Sequence, residues 1–191
     1  MENMNHLKDL LRYDIKCLYS AEEQIIEALP AMIDKASSPQ LKQALEQHLR
    51  VTEMQRDRLD QVQQLLGQES SDDNDSGIFA NLFGVGTKSK GIDGLVDEGQ
   101  KMMGVDMNPA VMDAAIIGCA QKIEHYEIAG YGTARTYAEQ LGLTDVAQLL
   151  QQTLMEEHDT DDLLTSLAVG DVNRRAEVGS GTNSTASDTY R

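Results

Sequence analysis

Apolar residues return at intervals of three and four over most of the chain, and that spacing restricts it to helices packed along one stripe. Leu7, Leu11, Ile15, Leu18, Ile25, Leu29 and Ile33 keep the interval, which a helix turns into a single inward face. The spacing predicts a first helix over 4–35, with Pro30 kinking it near its end. In "SSPQ", Ser38 is placed to cap and Pro39 to take the first helical position. A second helix is expected over 39–66, its inner side marked by Leu41, Leu45, Leu49, Leu59 and Leu66. Asn108 and Pro109 open a third that runs to Leu141. Gly142 is its natural stop, and Thr144 is expected to cap a fourth that reaches about residue 169.

Composition agrees with helices. There is no Trp, only two Phe, and nine Met among the 191 residues, poor material for sheets. The 32 acidic and 16 basic residues leave a net charge of −16. Such a surface attracts cations and cannot neutralise a phosphate backbone, so no nucleic-acid partner is expected. Cys17 and Cys119 are isolated thiols in helical patterns, which suits a reducing, cytoplasmic setting. No apolar run approaches the length of a membrane span, and the polar N-terminus has no apolar core of a signal peptide.

The links set the topology. Those between helices one and two, and three and four, are short and force antiparallel neighbours. Between helices two and three lie more than 40 residues. Residues 67–90 are Gly-, Ser- and Asp-rich and read as loop, and "GIDGLVDEGQKMMG" as a short helix. A connection of that length can return along the bundle and reverse the third helix. The expected fold is therefore all-α: a ferritin-like antiparallel four-helix bundle over 1–169 with a long crossover that contains a short helix. Residues 170–191 read as a disordered polar tail.

A shift of 105 residues lays the first helical pair on the second. It places Glu22 on Glu127, Leu41 on Val146, Leu45 on Leu150, Leu49 on Leu154, Thr52 on Glu157 and Leu59 on Leu164. Any two helical hairpins would match their apolar positions; the match of a glutamate on an inward position is more telling. Each helix carries polar residues on its apolar stripe: Glu22 in the first, His48, Thr52 and Gln55 in the second, Glu124 and Glu127 in the third, Glu157 and Asp161 in the fourth. Glu22 and Thr52 each lie 15 residues from position 37, and Glu127 and Glu157 each 15 from position 142. With the two turns at opposite ends, these four meet at mid-bundle. One layer should hold Glu22, Glu127 and Glu157, and the next His48, Glu124 and Asp161, roughly 4 to 6 Å away at a rise of about 1.5 Å per residue.

Five carboxylates so placed would repel and desolvate one another if left bare. Cations remove the difficulty, and oxygen-rich ligands with one imidazole suit Fe or Mn, with two ions possible. The opposing reading is a solvated helix face for each acid, or a core histidine bonded to a carboxylate for His48. His125 lies about a hundred degrees round the helix from Glu124 and reads as a packing residue. His158 reads as exposed, the tyrosines as core residues or hydrogen-bond donors to ligands, and both thiols as packing.

"LYSAEEQIIEALPAM", "QHL" followed by Thr52, "AAIIGCAQKIEHYEIAGYGT" and "TLMEEHDTDDLL" resemble the YciE/YciF family of ferritin-like proteins, bacterial proteins linked to stress responses. The resemblance covers residues 7–169. It implies a ferritin-like bundle, a homodimer, and kinship with rubrerythrin-type di-metal domains. The general di-iron pattern takes one Glu from each of two helices and Glu-x-x-His from each of the other two. Here Glu22 and Glu127 fill the first role, while helix two offers Thr52 and Gln55 and helix four Glu157 with Thr160 and Asp161. Arg50 and Val51 stand where the family often has a glutamate pair. Two expectations follow: a metal-binding stress protein with a redox or peroxide-related role, or a non-catalytic structural protein with a vestigial site.

Overall fold

The computed structural model describes residues 4–68 and 89–178. Among them every regular element is helical. The elements are α1 (Leu7–Lys35), α2 (Pro39–Gln68), α3 (Lys90–Met103), α4 (Pro109–Gln140), α5 (Thr144–Leu167), a π-helical turn (Ala168–Val172) and α6 (Asn173–Val178). Among the described residues no helix is long and apolar enough to cross a membrane.

The helix ends have local causes. Asp9 accepts from the backbone amides of Asn5 and His6, both at 3.0 Å, which fixes the start of α1. Ser38 Oγ accepts from Leu41 N at 3.4 Å, and Asn108 Oδ1 from Ala110 N at 2.9 Å, so both caps fall where the sequence places them. Gly142 has φ of 73°, a left-handed residue that lets Leu143 N reach Ala138 O at 2.9 Å and close α4. Thr144 is the first residue of α5 rather than its cap: Leu143 takes that place and supplies no side-chain hydrogen bond. α1 continues through Pro30 to Lys35.

Directions follow from named contacts. In α1 and α4, Glu22 bonds Tyr131 and the Ser37–Ser38 turn bonds Asp113, so rising numbers in one meet falling numbers in the other. α2 and α5 pair the same way through Gln55–Glu157 and Arg58–Thr153. With each hairpin antiparallel, α2 and α4 run in the same direction. The expected loop at 67–90 lies mostly outside the described residues. Its far end, α3, seals the α1–α4 seam: Ser89 N donates to Ser20 Oγ at 3.0 Å, and the Ser89 and Tyr126 hydroxyls pair at 2.9 Å.

Two apolar blocks make the core. One gathers Ile25, Leu29, Leu41, Leu45, Ile116, Ala120 and Leu164; the other Leu11, Ile15, Leu18, Leu59, Val62, Tyr131, Ala134 and Leu150. Between them every long helix contributes buried polar residues, Glu22, His48, Thr52, Gln55, Glu124, Glu127 and Glu157. The core is therefore interrupted at its middle by a polar belt.

The chain stays helical past residue 170, where the sequence analysis begins a disordered tail. Ala168 and Val172 are buried in the first apolar block, and that packing carries the helix through the π-helical turn to Val178. The remainder of the expected tail, 179–191, lies outside the described residues.

Candidate metal centre

The belt is built from helical spacing. Glu22 stands between Leu18 and Ile25 on the α1 stripe, and Glu127 between Ile123 and Tyr131 on that of α4, so burying the leucines and isoleucines buries the acids. Two groups of ligand atoms result, each with all its atoms within 4.8 Å of one another: Glu22, Glu127 and Glu157, and His48, Glu124 and Glu157. All five residues are buried, and Glu157 belongs to both groups.

The first expected layer is thus brought together as the turn spacing places it. The second differs in one member. Asp161 is outside both groups; its carboxylate accepts from Gln121 Nε2 at 3.0 Å and lies 3.3 Å from His125 Nε2. Four residues advance an α-helix by about 400°, so Asp161 is rotated some 40° from Glu157, enough for its shorter side chain to find partners on α4. Glu157 takes the place that Asp161 was expected to fill. His158 is exposed, as expected, whereas His125, expected to pack, is mostly exposed and faces Asp161.

Neighbours hold the ligands in place. Tyr131 donates its hydroxyl to Glu22 Oε1, and Gln55 Nε2 donates to Glu157 Oε1 at 2.5 Å. Thr52 does not turn toward the acids; its hydroxyl donates to His48 O at 2.9 Å. Arg58 also lies inside the bundle, a residue not among those expected there. Its buried guanidinium donates to Thr153 Oγ1 at 2.6 Å and to both oxygens of Glu156, at 2.8 and 2.9 Å. Arg58 is three residues beyond Gln55 and next to Leu59, so a cation on the inward stripe was the available signal.

Burial dominates the electrostatics. It pushes Glu22 well above the usual carboxylate range, and the charge of Glu157 adds to the rise, against the Tyr131 hydrogen bond and Arg58. Glu127 is raised by burial and then by Glu22, Glu124 by burial and then by Glu157. Glu157 rises to about 7, again chiefly by burial. Burial lowers His48 to about 4, leaving the imidazole neutral with a lone pair to offer. Each shift favours the uncharged form.

The donor set fits a pair of hard-to-borderline cations. Glu22 Oε2, both oxygens of Glu124, Glu127 Oε1, Glu157 Oε2 and both His48 nitrogens are buried without a hydrogen-bond partner. Buried polar atoms are nearly always paired, so a cluster of unpaired ones, all of ligand type, is a specific feature. His48 Nε2 lies 3.5 Å from Glu124 Oε1.

The sequence and the fold were compared with known proteins. Residues 6–177 match the family model described as Domain of unknown function (DUF892). The chain belongs to that family. It is 40% identical over 175 residues to Protein YciF of Escherichia coli strain K12, covering 92% of this chain and 98% of that protein. The crystal structure of the E. coli stress protein YciF superposes with a TM-score of 0.78 at 37% identity, over 90% of this chain and 99% of that one. YcfI from Rhodopseudomonas palustris, to which a structural role has been ascribed provisionally, gives a TM-score of 0.76 at 38% identity, over 86% and 96% of the two chains. The DUF892 chain studied here thus shares its all-helical architecture with YciF along nearly its full length.

Proposed function

We propose that this DUF892 chain is a ferritin-like protein that binds Fe or Mn, one ion or two, as part of a bacterial stress response. The observation that carries the reading is the set of unpaired, buried ligand atoms arranged as two groups that share Glu157. In this reading Glu22 and Glu127 would hold one ion and His48 and Glu124 the other, with Glu157 a member of both groups. When bound, redox-active ions supply electron exchange with peroxide or oxygen. Tyr131 and Gln55 orient the carboxylates through the bonds they donate, and the two apolar blocks keep bulk water from the belt. A homodimer and a cytoplasmic setting complete the proposal, both on family resemblance and the isolated thiols.

Metal analysis of protein purified without chelator tests it. Iron or manganese should co-purify or bind on titration, up to two ions per chain. The Glu22→Ala/Glu127→Ala variant should lose at least one of them. Absence of binding to the unaltered protein sinks the reading.

A second reading is a structural protein with a vestigial site. It is favoured by the protein-only hydrogen bonds already made to Glu22 and Glu157, by a single imidazole in the belt, and by the structural role ascribed to YcfI. Under it, neither metal binds and the acids remain protonated.

A further inference from the structure

His48 lies between an outer pocket and an inner cavity. The outer one, of about 150 Å³, sits on the α2–α5 seam, with Ala44, His48 and Val51 on one wall and Asp159, Thr160 and Leu163 on the other. The inner one, of about 10 Å³, is lined by His48 and Glu124 among apolar residues, room for about one water-sized body. The imidazole is 5% exposed, and neither of its nitrogens makes a hydrogen bond. Farther along, the seam is latched: Arg58 bonds Thr153 and Glu156, and Gln55 bonds Glu157. The larger pocket against α3, about 400 Å³ with Glu27, Asp93 and Asp97 on its walls, touches none of the candidate ligands.

We propose that the α2–α5 seam is the mouth through which divalent cations reach the belt, and that His48 is the group that passes them inward. The inference rests on the metal-binding reading and adds the route. A cation entering an apolar interior must exchange water for another ligand at each step. The exposed Asp159 and the net charge of −16 raise the cation concentration at the mouth. His48 then offers an unpaired nitrogen at the wall, and Glu124 stands 3.5 Å behind it.

Metal-free full-length protein is mixed with Co(II) in a stopped-flow spectrometer, and the rate and the equilibrium affinity are measured separately. Leu163→Trp, at an exposed position on the rim, is expected to slow loading and release alike, by roughly ten-fold, with affinity unchanged. Gln100→Trp, in the pocket against α3, is expected to load at the unaltered rate. Asp159→Asn, which leaves the core untouched, is expected to load more slowly at low salt, the difference fading at high salt. Should Leu163→Trp fail to fold, Asp159→Asn decides alone. Cobalt bound at the unaltered rate by the rim variants overturns the route and leaves the site standing. An affinity that falls with the rate also counts against it, because a narrowed mouth does not alter the equilibrium. If the unaltered protein takes up no cobalt, the site and the route fall together.

Discussion

At the scale of the residue, each buried acid prefers to be neutral, so its replacement has an effect whose sign depends on pH. Burial raises Glu157 to about 7 in the fold, against an ordinary value of 4.5. Below the lower value both states are protonated and the residue costs nothing. As pH rises from 4.5 to 7 the unfolded chain ionises first and stability falls, by on the order of 3 kcal/mol at about 1.4 kcal/mol per pH unit. Urea unfolding of metal-free Glu157→Gln should therefore show a gain of up to that size at pH 8 and none near pH 4.5. His48 works in the opposite sense. Burial lowers it to about 4, below the ordinary value of 6.5, so its contribution is present above 6.5 and lost as pH falls towards 4. His48→Gln should flatten that acid limb. Cation binding needs the carboxylates ionised and the imidazole neutral, so the metal's stabilisation should grow with pH and its uptake should release protons, measurable by calorimetry in buffers of different ionisation enthalpy. Of the buried belt, Glu22, Glu127, Glu157, His48 and Glu124 were legible as inward-facing, because a carboxylate or imidazole on an apolar stripe has nowhere to go but inward. Asp161 was misplaced because helical spacing gives the face and not the partner: Gln121 and His125 on another helix decided it.

At the scale of the element, the long helices could be read because their apolar period repeats over many turns. α6 could not, since 168–178 offers only Ala168 and Val172 to the core, and Gly170 weakens the pattern between them. Asp113 escaped for a different reason: its role lies across the chain. Its carboxylate accepts from Ser37 N at 2.6 Å, Ser37 Oγ at 2.7 Å and Ser38 N at 3.0 Å, tying the α1–α2 turn to the start of α4. Asp113→Ala removes all three and leaves the buried Ser38 amide unmet. It should cost about 2–3 kcal/mol, read as a lower melting temperature with the helical signal intact. The equivalent change at Asp97, which pairs with Lys101 on the surface, should cost less than about 0.5 kcal/mol.

At the scale of the whole molecule, the two apolar blocks meet only across the polar belt, so they should report the belt's state. Hydrogen exchange on the metal-free protein should find amides near Leu29 and Leu150 well protected and those near Glu124 and Glu157 less so. Saturating Mn(II) should raise the melting temperature and even out the protection. At a hundred times the dissociation constant the stabilisation is about 2.7 kcal/mol, a large share of what holds a domain of this size together. Crossover and direction were legible from link lengths, whereas the seating of α3 against Tyr126 was not, because Ser89 and Ser20 carry no pattern that announces the pairing.

The sharing of Glu157 between the two ligand groups has its own consequence. If the proposed ions bind, a carboxylate within reach of both positions would make the first arrival alter the welcome given to the second: Glu157 would have to give up its proton, and a positive charge would be added beside the second group. Filling is then a sequence with memory, and a binding isotherm that fits two independent sites would be the surprising result.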